Sequence, residues 1–409
     1  MTSTVESVGD TPAQVPDFPM SRAAGCPFDP PPAAVAQRKE APLSKVRLWD
    51  GSTPWLVTGY TEGRALLADP RVSADITRPG YPLQAPLPPE GPSASFILMD
   101  DPEHARLRRM VTAPFAIKRV AALRPGIQQI VDDLVDDMLA GPKPVDLVTA
   151  FALPMPSLVI CQLLGVPYAD HDFFQANSKV LIKRTNDPQE RSDAFRRLTA
   201  YLDDLMGEKL AAPADDLLSG LGERVRTGEL TRTEAAQMGV LLLIAGHETT
   251  ANMIALGTLA LLEHPAQLAL LRDSDDPKLV ASAVEELLRY LNIVHNGRRR
   301  VALEDIDIAG RRVHAGDGLV IANDLANRDP DAFPEPDRLD IERDARHHVA
   351  FGFGVHQCLG QPLARLELQV VYSTLYRRIP TLRLATDIER IPFKHDGGVY
   401  GVYELPVTW

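Results

Sequence analysis

The chain has 409 residues, of which 45% are hydrophobic and 24% charged, an ordinary globular composition with material for a large core. A formal net charge of -12 argues against nucleic acid or an anionic membrane surface as the main partner. The 3 scattered cysteines exclude a disulfide framework and suit a reducing compartment, so we expect a cytoplasmic protein.

The first half of the chain contains the clearest breaks in pattern. Residues 1–45 are rich in proline and predict an extended N-terminal arm, followed by a single domain over 46–409. Apolar and polar residues alternate across 46–60, and the turn-forming residues Asp50 and Gly51 interrupt the alternation, which predicts a β-hairpin. A Pro- and Gly-rich stretch, 79–93, predicts a long loop. Asp101 and Pro102 are typical of a helix start, with Asp101 as N-cap.

The second half is dominated by helical patterns. Residues 231–263 predict a long helix through the middle of the protein, because they are apolar on most sides and contain no proline. Helices are also predicted from Asp276–Pro277 to Tyr290 and over 361–378. Residues 298–321 alternate with period two and predict a small sheet. The fold class is therefore mainly α with a minor β part, and the longest apolar run, 238–246, is too short for a membrane span.

The most informative segment is 351–360, FGFGVHQCLG. Its glycines indicate a tightly turned backbone, and a helix starting near Leu359 would direct N–H groups at Cys358 and favour a thiolate. A lone cysteine is usually a small core residue, and a zinc site would need further ligands at set spacings. The loop by itself permits a core filler, a nucleophile assisted by His356, or a metal ligand.

The same segment resembles the haem-binding loop of cytochrome P450 enzymes, Phe-x-x-Gly-x-x-x-Cys-x-Gly, through Phe351, Gly354, Cys358 and Gly360. The resemblance implies the P450 fold with haem b as cofactor and Cys358 as the axial ligand of its iron. It also implies that Phe351 packs against the sulfur and that Gly360 lets the next helix approach the porphyrin.

A second constellation is 245–250, AGHETT, inside the long apolar helix. Polar side chains inside a buried helix cost free energy unless they form hydrogen bonds or serve a function. A single threonine would indicate no more than a kink in the helix. The segment resembles the family's oxygen-binding groove. That resemblance implies that Glu248 and Thr249 deliver protons to the bound oxygen, with Thr250 as second choice for the alcohol.

Two further elements occur in the same order along the chain as the corresponding motifs of the family. Glu286 and Arg289 lie three apart on one helix face, which alone indicates only a local ion pair on a solvated surface. They resemble the family's Glu-x-x-Arg element, a structural lock that a later arginine completes, and Arg338 is the predicted third member. We assign no chemistry to these residues.

The pair His104 and Arg108 shares a helix face suited to gripping a carboxylate, although a solvated basic face has the same pattern. In the family this pair binds the haem propionates. Arg300 and His356 match two more propionate positions, and the adjacent Arg298 and Arg299 leave that choice ambiguous by a residue or two.

These elements run from 104 to 360, and details of the run LLLIAGHETTANM are similar to soluble Streptomyces members of the herbicide-inducible and vitamin D-hydroxylating group. The resemblance implies a monooxygenase that inserts one oxygen atom from O2 into a C–H bond of a hydrophobic small molecule. A steroid-like or polyketide-like secondary metabolite is the expected substrate.

No dinucleotide-binding fingerprint is apparent, so electrons from NAD(P)H are expected to arrive through a ferredoxin and its reductase. We expect the ferredoxin to dock near Arg106, Arg109, Lys118 and Arg119, on a protein that is a soluble monomer.

The residues of the substrate pocket are the part of the site that the sequence predicts least well. The resemblance places its walls near 79–96, which is expected to act as a lid, near 174–186, and at single positions: Ala245, Ile293, Val294, Val399 and Tyr400. Alternative functions are a peroxygenase or specialised oxidase of the same family that epoxidises or couples aryl rings. Outside that family they are a haem-based sensor or electron carrier, and a cysteine-protease-like hydrolase.

Overall fold

The structure is a computed structural model that describes residues 15–23, 25–86, 95–183 and 186–409. Its helices are α1 (Pro32–Glu40), α2 (Tyr60–Ala68), α3 (Glu103–Thr112), α4 (Ile117–Ala122), α5 (Arg124–Ala140), α6 (Pro154–Leu164), α7 (His171–Ile182), α8 (Pro188–Ala211), α9 (Leu217–Arg226), α10 (Arg232–Glu263), α11 (Pro265–Arg272), α12 (Pro277–Leu291), α13 (Asn323–Ala326) and α14 (Gln361–Arg378). Its strands are β1 (Leu43–Lys45), β2 (Trp55–Val57), β3 (Val72–Ser73), β4 (Val145–Asp146), β5 (Arg298–Ala302), β6 (Ile306–Ile308), β7 (Arg311–Val313), β8 (Gly318–Ile321), β9 (Arg383–Leu384) and β10 (Pro406–Thr408).

The central element is α10, as the apolar run predicts. Thr231 and Glu234 form a capping box at its start, and the helix is continuous to Glu263. Two glycines let other helices pack closely against it. A Cβ on Gly246 would lie 2.5 Å from Ile160 of α6, and one on Gly257 would lie 1.9 Å from the hydroxyl of Tyr372 on α14. By length and composition α10 could cross a membrane, but 72% of its most apolar stretch is buried within the protein.

The β part of the described chain is small. One sheet has the order β1-β2-β8-β5-β3, in which β2 and β8 run parallel and the other neighbours antiparallel. A second sheet joins β4, β10 and β9, and β6 and β7 form a hairpin. The turn that connects β1 and β2 contains Gly51 at a φ of 83°, in agreement with the predicted hairpin.

Most predicted elements are confirmed, including α10, α12, α14 and the small sheet. The prediction of an extended arm through residue 45 is wrong beyond residue 31, because α1 and β1 lie within it. Helix α3 begins at Glu103, one residue later than predicted, although the carboxylate of Asp101 still accepts a hydrogen bond from the Ala105 N–H at 3.1 Å. Residues 87–94 of the predicted lid lie outside the described residues.

Candidate haem and oxygen-activation site

The cysteine loop turns sharply just before α14. Gly352 and Gly354 have φ angles of 75° and 72°, a left-handed conformation that favours glycine. Gly354 also meets α2, since a Cβ at this position would lie 2.3 Å from the carbonyl oxygen of Leu67. The N–H of Cys358 donates to the carbonyl of Phe351 at 2.9 Å, which closes the loop. The predicted packing of the Phe351 ring on the sulfur stays a prediction.

The sulfur of Cys358 faces several positive groups. The backbone N–H groups of Gly360 and Gln361, at the start of α14, and the guanidinium groups of Arg298 and Arg108 all lower the pKa of the thiol. Burial is the larger effect, so the pKa of Cys358 lies above its ordinary value. As a free group it would therefore be a poor nucleophile, whereas a bound metal cation would favour the thiolate.

A cluster of basic side chains lies around this loop. The Nε2 of His104, the Nδ1 of His356 and the Nε of Arg298 are buried without a hydrogen-bond partner among the described residues. The two imidazole rings lie 4.1 Å apart. Burial, reinforced by Arg300 and other positive neighbours, lowers the pKa of His356 to about 3.

Two arginines of the cluster, Arg108 and Arg300, donate to backbone carbonyls rather than to carboxylates of the described residues. Arg108 donates to the carbonyl of Gln357 at 2.6 Å, and Arg300 donates to that of Arg299 at 2.7 Å. Burial lowers the pKa of Arg300 to about 10. A group bearing two carboxylates would give these cations the partners they lack.

Haem is such a group, and the chain fits it. Its two propionates match the underpaired cluster, and Cys358 offers a thiolate. Within the described residues, a Cβ on Gly360 would meet nothing within 4 Å, so the backbone is open on that side.

The sequence did not decide which of three adjacent arginines lies near the cysteine loop. Strand β5 places them on two opposite faces. Successive side chains of a strand point to opposite faces, so Arg298 and Arg300 share the face that includes the Cys358 loop. Arg299 points the other way and donates to the carbonyls of Pro82 and Leu83 at 2.7 and 3.0 Å. Arg298 is thus a cluster residue that sequence reasoning did not select, although the two-residue period could have indicated it.

The candidate acid Glu248 and the candidate alcohols Thr249 and Thr250 of α10 have different surroundings. Ala245 and Thr249 lie one turn apart at accessible positions of a mostly buried helix, and the Thr249 hydroxyl donates to the Ala245 carbonyl at 2.7 Å. Thr250 is buried on another face and donates to Glu367 of α14 at 3.2 Å. This placement agrees with Thr249 as first choice for the alcohol. Glu248 is turned toward Lys394, whose Nζ lies 3.8 Å from its Oε2.

Glu367 was not singled out by sequence reasoning, because a glutamate in a helix gives no local sign of burial. Its side chain is enclosed between α14 and α10, and one carboxyl oxygen has no hydrogen-bond partner among the described residues. Burial raises the pKa of Glu367 to about 8, against a smaller opposing effect of the Thr250 hydroxyl.

The Glu286–Arg289 pair is fully buried and bidentate, with N···O distances of 2.7 and 2.8 Å. The prediction that Arg338 completes it is wrong. The Arg338 side chain is exposed and pairs with Asp340 at 2.7 Å, whereas the Nε of Arg343 lies 3.2 Å from Glu286. Both arginines follow the same Pro-rich turn, so the choice depended on how that turn folds.

The predicted pocket walls come together in part. The N–H of Tyr400 donates to the carbonyl of Ile293 at 2.8 Å, which brings the C-terminal segment beside Ile293 and Val294. The Tyr400 ring itself is buried under the guanidinium of Arg22 at 4.1 Å, and its hydroxyl donates to the Pro27 carbonyl. This packing contradicts a substrate-facing role for the Tyr400 side chain.

Comparison with known proteins gives a consistent result. A sequence model of the Cytochrome P450 family matches residues 213–379. The chain is 56% identical to Cytochrome P450 GfsF of Streptomyces halstedii, covering 100% of this chain and 99% of that one. It is 46% identical to the Vitamin D3 dihydroxylase of Streptomyces griseolus, over 100% and 99% of the two chains.

Solved structures agree with the sequence comparison. The crystal structure of mycinamicin VIII C21 methyl hydroxylase MycCI from Micromonospora griseorubida, bound to mycinamicin VIII, matches with a TM-score of 0.91 and 44% identity. That match covers 97% of this chain and 100% of the other. The predicted fold and the predicted similarity to Streptomyces enzymes of the vitamin D-hydroxylating group are confirmed.

Proposed function

The chain belongs to the cytochrome P450 family of haem monooxygenases, and from that premise we propose that Cys358 is its iron ligand and that Glu248 and Thr249 supply protons for oxygen activation. The proposed reaction is hydroxylation of a hydrophobic secondary metabolite. The observation that carries the site assignment is the basic cluster beside the Cys358 sulfur, in which His104 Nε2, His356 Nδ1 and Arg298 Nε are buried without a hydrogen-bond partner among the described residues.

Each part of the chain has a distinct task in this proposal. When bound, haem supplies the iron chemistry that activates O2, and a thiolate ligand favours cleavage of the O–O bond. His104, Arg108, Arg300 and His356, as predicted, together with Arg298, would hold the propionates. The buried α10 and α14 exclude water from the site, so that protons enter only where polar side chains admit them.

Replacement of the cysteine tests the ligand assignment. Cys358→Ser should abolish the red-shifted absorption band of the reduced, CO-bound protein, because that band requires a thiolate ligand. Cys26→Ser is the matched control, since Cys26 lies in the N-terminal segment and its thiol donates a hydrogen bond to the carboxylate of Asp29. A red-shifted band that survives in Cys358→Ser, or disappears equally in Cys26→Ser, refutes the assignment.

Electron supply is proposed to come from NAD(P)H through a ferredoxin and its reductase. Arg109, Lys118 and Arg119 are exposed and form no ion pair with another described residue, so they remain available to an acidic partner. Ile117, beside Lys118 in α4, is an apolar side chain with 79% exposure, and Val355 of the cysteine loop is another with 60%. Interfaces of this kind combine an apolar centre with charged surroundings.

Arg106 is a weaker candidate for this surface than the sequence suggested. Its guanidinium already pairs with Glu103 at 2.8 Å and with Glu234 at 3.2 Å. We therefore expect reversal of Arg109, Lys118 and Arg119 to slow ferredoxin-driven reduction at low salt, with Arg311→Glu on the β6–β7 hairpin as control. Equal reduction rates in the two variants would exclude this docking surface.

The substrate is proposed from the relatives and from the pocket positions. The relatives include enzymes named for hydroxylation of vitamin D3 and of mycinamicin VIII, both largely hydrophobic natural products. Ala245, Ile293, Val294 and Val399 would present an apolar wall near Thr249. A screen for shifts of the haem Soret band on addition of steroids and macrolides tests this class. If only charged or peptide compounds shift the band, the proposed substrate class is wrong.

Turnover experiments separate this function from its rivals. Product that forms with NAD(P)H, ferredoxin and reductase, and carries one oxygen atom from labelled O2, supports a monooxygenase. Product that forms only with hydrogen peroxide indicates a peroxygenase, and haem binding without product formation indicates a sensor or carrier.

A further inference from the structure

The C-terminal hairpin lies directly against the acidic turn of α10. Phe393 and Val402 form an antiparallel bridge, and the N–H of Lys394 donates to the carbonyl of Gly401 at 2.8 Å. Gly401 touches α10 so closely that a Cβ there would lie 1.8 Å from the Oδ1 of Asn252. A side chain at 401 would push the hairpin away, so glycine permits the contact that brings Lys394 over α10.

The carboxylate of Glu248 has few partners at this contact. Its Oε2 lies 3.8 Å from the ammonium of Lys394 and accepts a long hydrogen bond of 3.4 Å from the Asn252 amide. Its Oε1 lies 4.0 Å from the Nε2 of His247. His247 donates through Nδ1 to the Leu243 carbonyl, and burial lowers its pKa, so the ring is neutral. Within the described part of the chain, Lys394 is thus the lysine or arginine that pairs with Glu248.

The surroundings of Lys394 connect this ion pair with the surface. The side chains of Lys394 and Glu248 are only 19% and 12% exposed. Asp396, 31% exposed, accepts a hydrogen bond of 2.7 Å from the Tyr403 hydroxyl and pairs with Lys183 at 3.5 Å.

Three elements place charged or titratable groups near the Lys394 ammonium. The hairpin contributes Asp396 and Tyr403, α10 contributes Glu248, and α7 contributes Lys179. Burial lowers the pKa of Lys394, and the two carboxylates oppose that effect.

We propose that Lys394 is a positioning residue for proton delivery: its ammonium holds the Glu248 carboxylate turned toward the C-terminal hairpin, where the carboxylate takes up protons from solvent. The inference rests on the role proposed above for Glu248 and Thr249. In each transfer the carboxylate accepts one proton from water on the Asp396 side and releases it on the Thr249 side. The net change is one proton moved inward, and Lys394 keeps its own.

Removal of the ammonium should alter the surroundings of the Glu248 carboxylate directly. In Lys394→Met the carboxylate loses its cationic partner, whereas Lys394→Arg keeps one. Infrared difference spectra of the holoenzyme should therefore show a shifted carboxylate stretching band in Lys394→Met but not in Lys394→Arg. The band is assigned by its loss in the double variant Lys394→Met/Glu248→Gln. If Lys394→Met shows no such shift, the inference is overturned.

Turnover supplies the functional test. With NADPH, ferredoxin and reductase, oxygen uptake by the holoenzyme is measured in H2O and D2O without added substrate. Lys394→Met should slow uptake about tenfold and enlarge the solvent isotope effect, whereas Lys394→Arg should retain most of the rate. Lys179→Met is the matched control, because it removes a positive charge near Lys394 that does not contact Glu248.

The outcomes distinguish the inference about Lys394 from the proposed role of Glu248. If Glu248→Gln slows uptake but Lys394→Met does not, the inference about Lys394 fails and the role of Glu248 stands. If Glu248→Gln is as fast as the wild type, the proposed role of Glu248 fails. If Lys179→Met slows uptake as much as Lys394→Met, net charge rather than the contact is responsible, and the inference is overturned. An intact red-shifted band of the reduced CO complex verifies that each variant is folded.

Discussion

Replacing Glu367 with glutamine should change how the stability of this protein depends on pH. The native pKa of Glu367 is about 8, well above its ordinary value of 4.5, because the side chain is buried between α14 and α10. Between these two values the folded protein holds a proton that the unfolded chain releases. The stability associated with the neutral carboxyl is therefore complete below pH 4.5 and is lost as the pH rises toward 8.

The size of the effect follows from the two pKa values. One pH unit corresponds to about 1.4 kcal/mol, so the full window is worth up to about 5 kcal/mol. Glutamine retains an acceptor for the Thr250 hydroxyl but cannot ionise. Relative to the wild type, Glu367→Gln should therefore gain stability as the pH rises from about 5 to about 8. For a chain of this length the gain corresponds to roughly 5 °C in the unfolding midpoint.

The assay is thermal unfolding of the holoenzyme, followed through the Soret band and circular dichroism at a series of pH values. The quantity of interest is the difference in midpoint between variant and wild type, because the other titrating groups are common to both proteins. Glu404→Gln, at an exposed position, is the control and should show a difference that does not vary with pH. A difference for Glu367→Gln that is equally constant would refute the assignment of a neutral buried carboxyl.

Two further predictions concern the lock and the cysteine loop. Arg343→Met should lower the free energy of unfolding by about 2 kcal/mol, because it removes a charged hydrogen bond to a buried carboxylate, whereas Arg338→Ala should change it by less than about 0.5 kcal/mol. Urea unfolding measures both, and equal losses would contradict the choice of Arg343 as third member. Gly354→Ala and Gly310→Ala place alanine at similar φ angles of 72° and 69°, but only the first drives a Cβ against a backbone atom, the carbonyl oxygen of Leu67. Gly354→Ala should therefore cost about 2 kcal/mol more and lower the haem content, and similar losses in the two variants would show that the close approach is unimportant.

Much of the site was predictable because its motifs are local. The cysteine loop, the acid–alcohol turn and the Glu286–Arg289 pair each lie within ten consecutive residues, and helical spacing brings Glu286 and Arg289 together. The different surroundings of Thr249 and Thr250 also follow from helical spacing. One residue along a helix turns the side chain by about 100°, from an accessible face to a buried one.

The remaining site residues depend on contacts between distant segments. Arg343 and Arg338 are both arginines after one turn, and only the path of that turn brings Arg343 to Glu286. Lys394 reaches Glu248 from the end of the chain because Gly401 lets the hairpin approach α10. Tyr400 was assigned to the pocket by its position in the chain, but its ring is covered by the N-terminal segment.

Periodicity, capping and short motifs were enough to predict the long central helix, the minor sheet, the family and the candidate iron ligand. Which cations lie around Cys358, which arginine completes the lock and which lysine pairs with Glu248 depended instead on how the chain folds. The charge of a side chain is a local property, whereas its burial and its partner are set by segments distant in the sequence, as the pair of Lys394 and Glu248 shows.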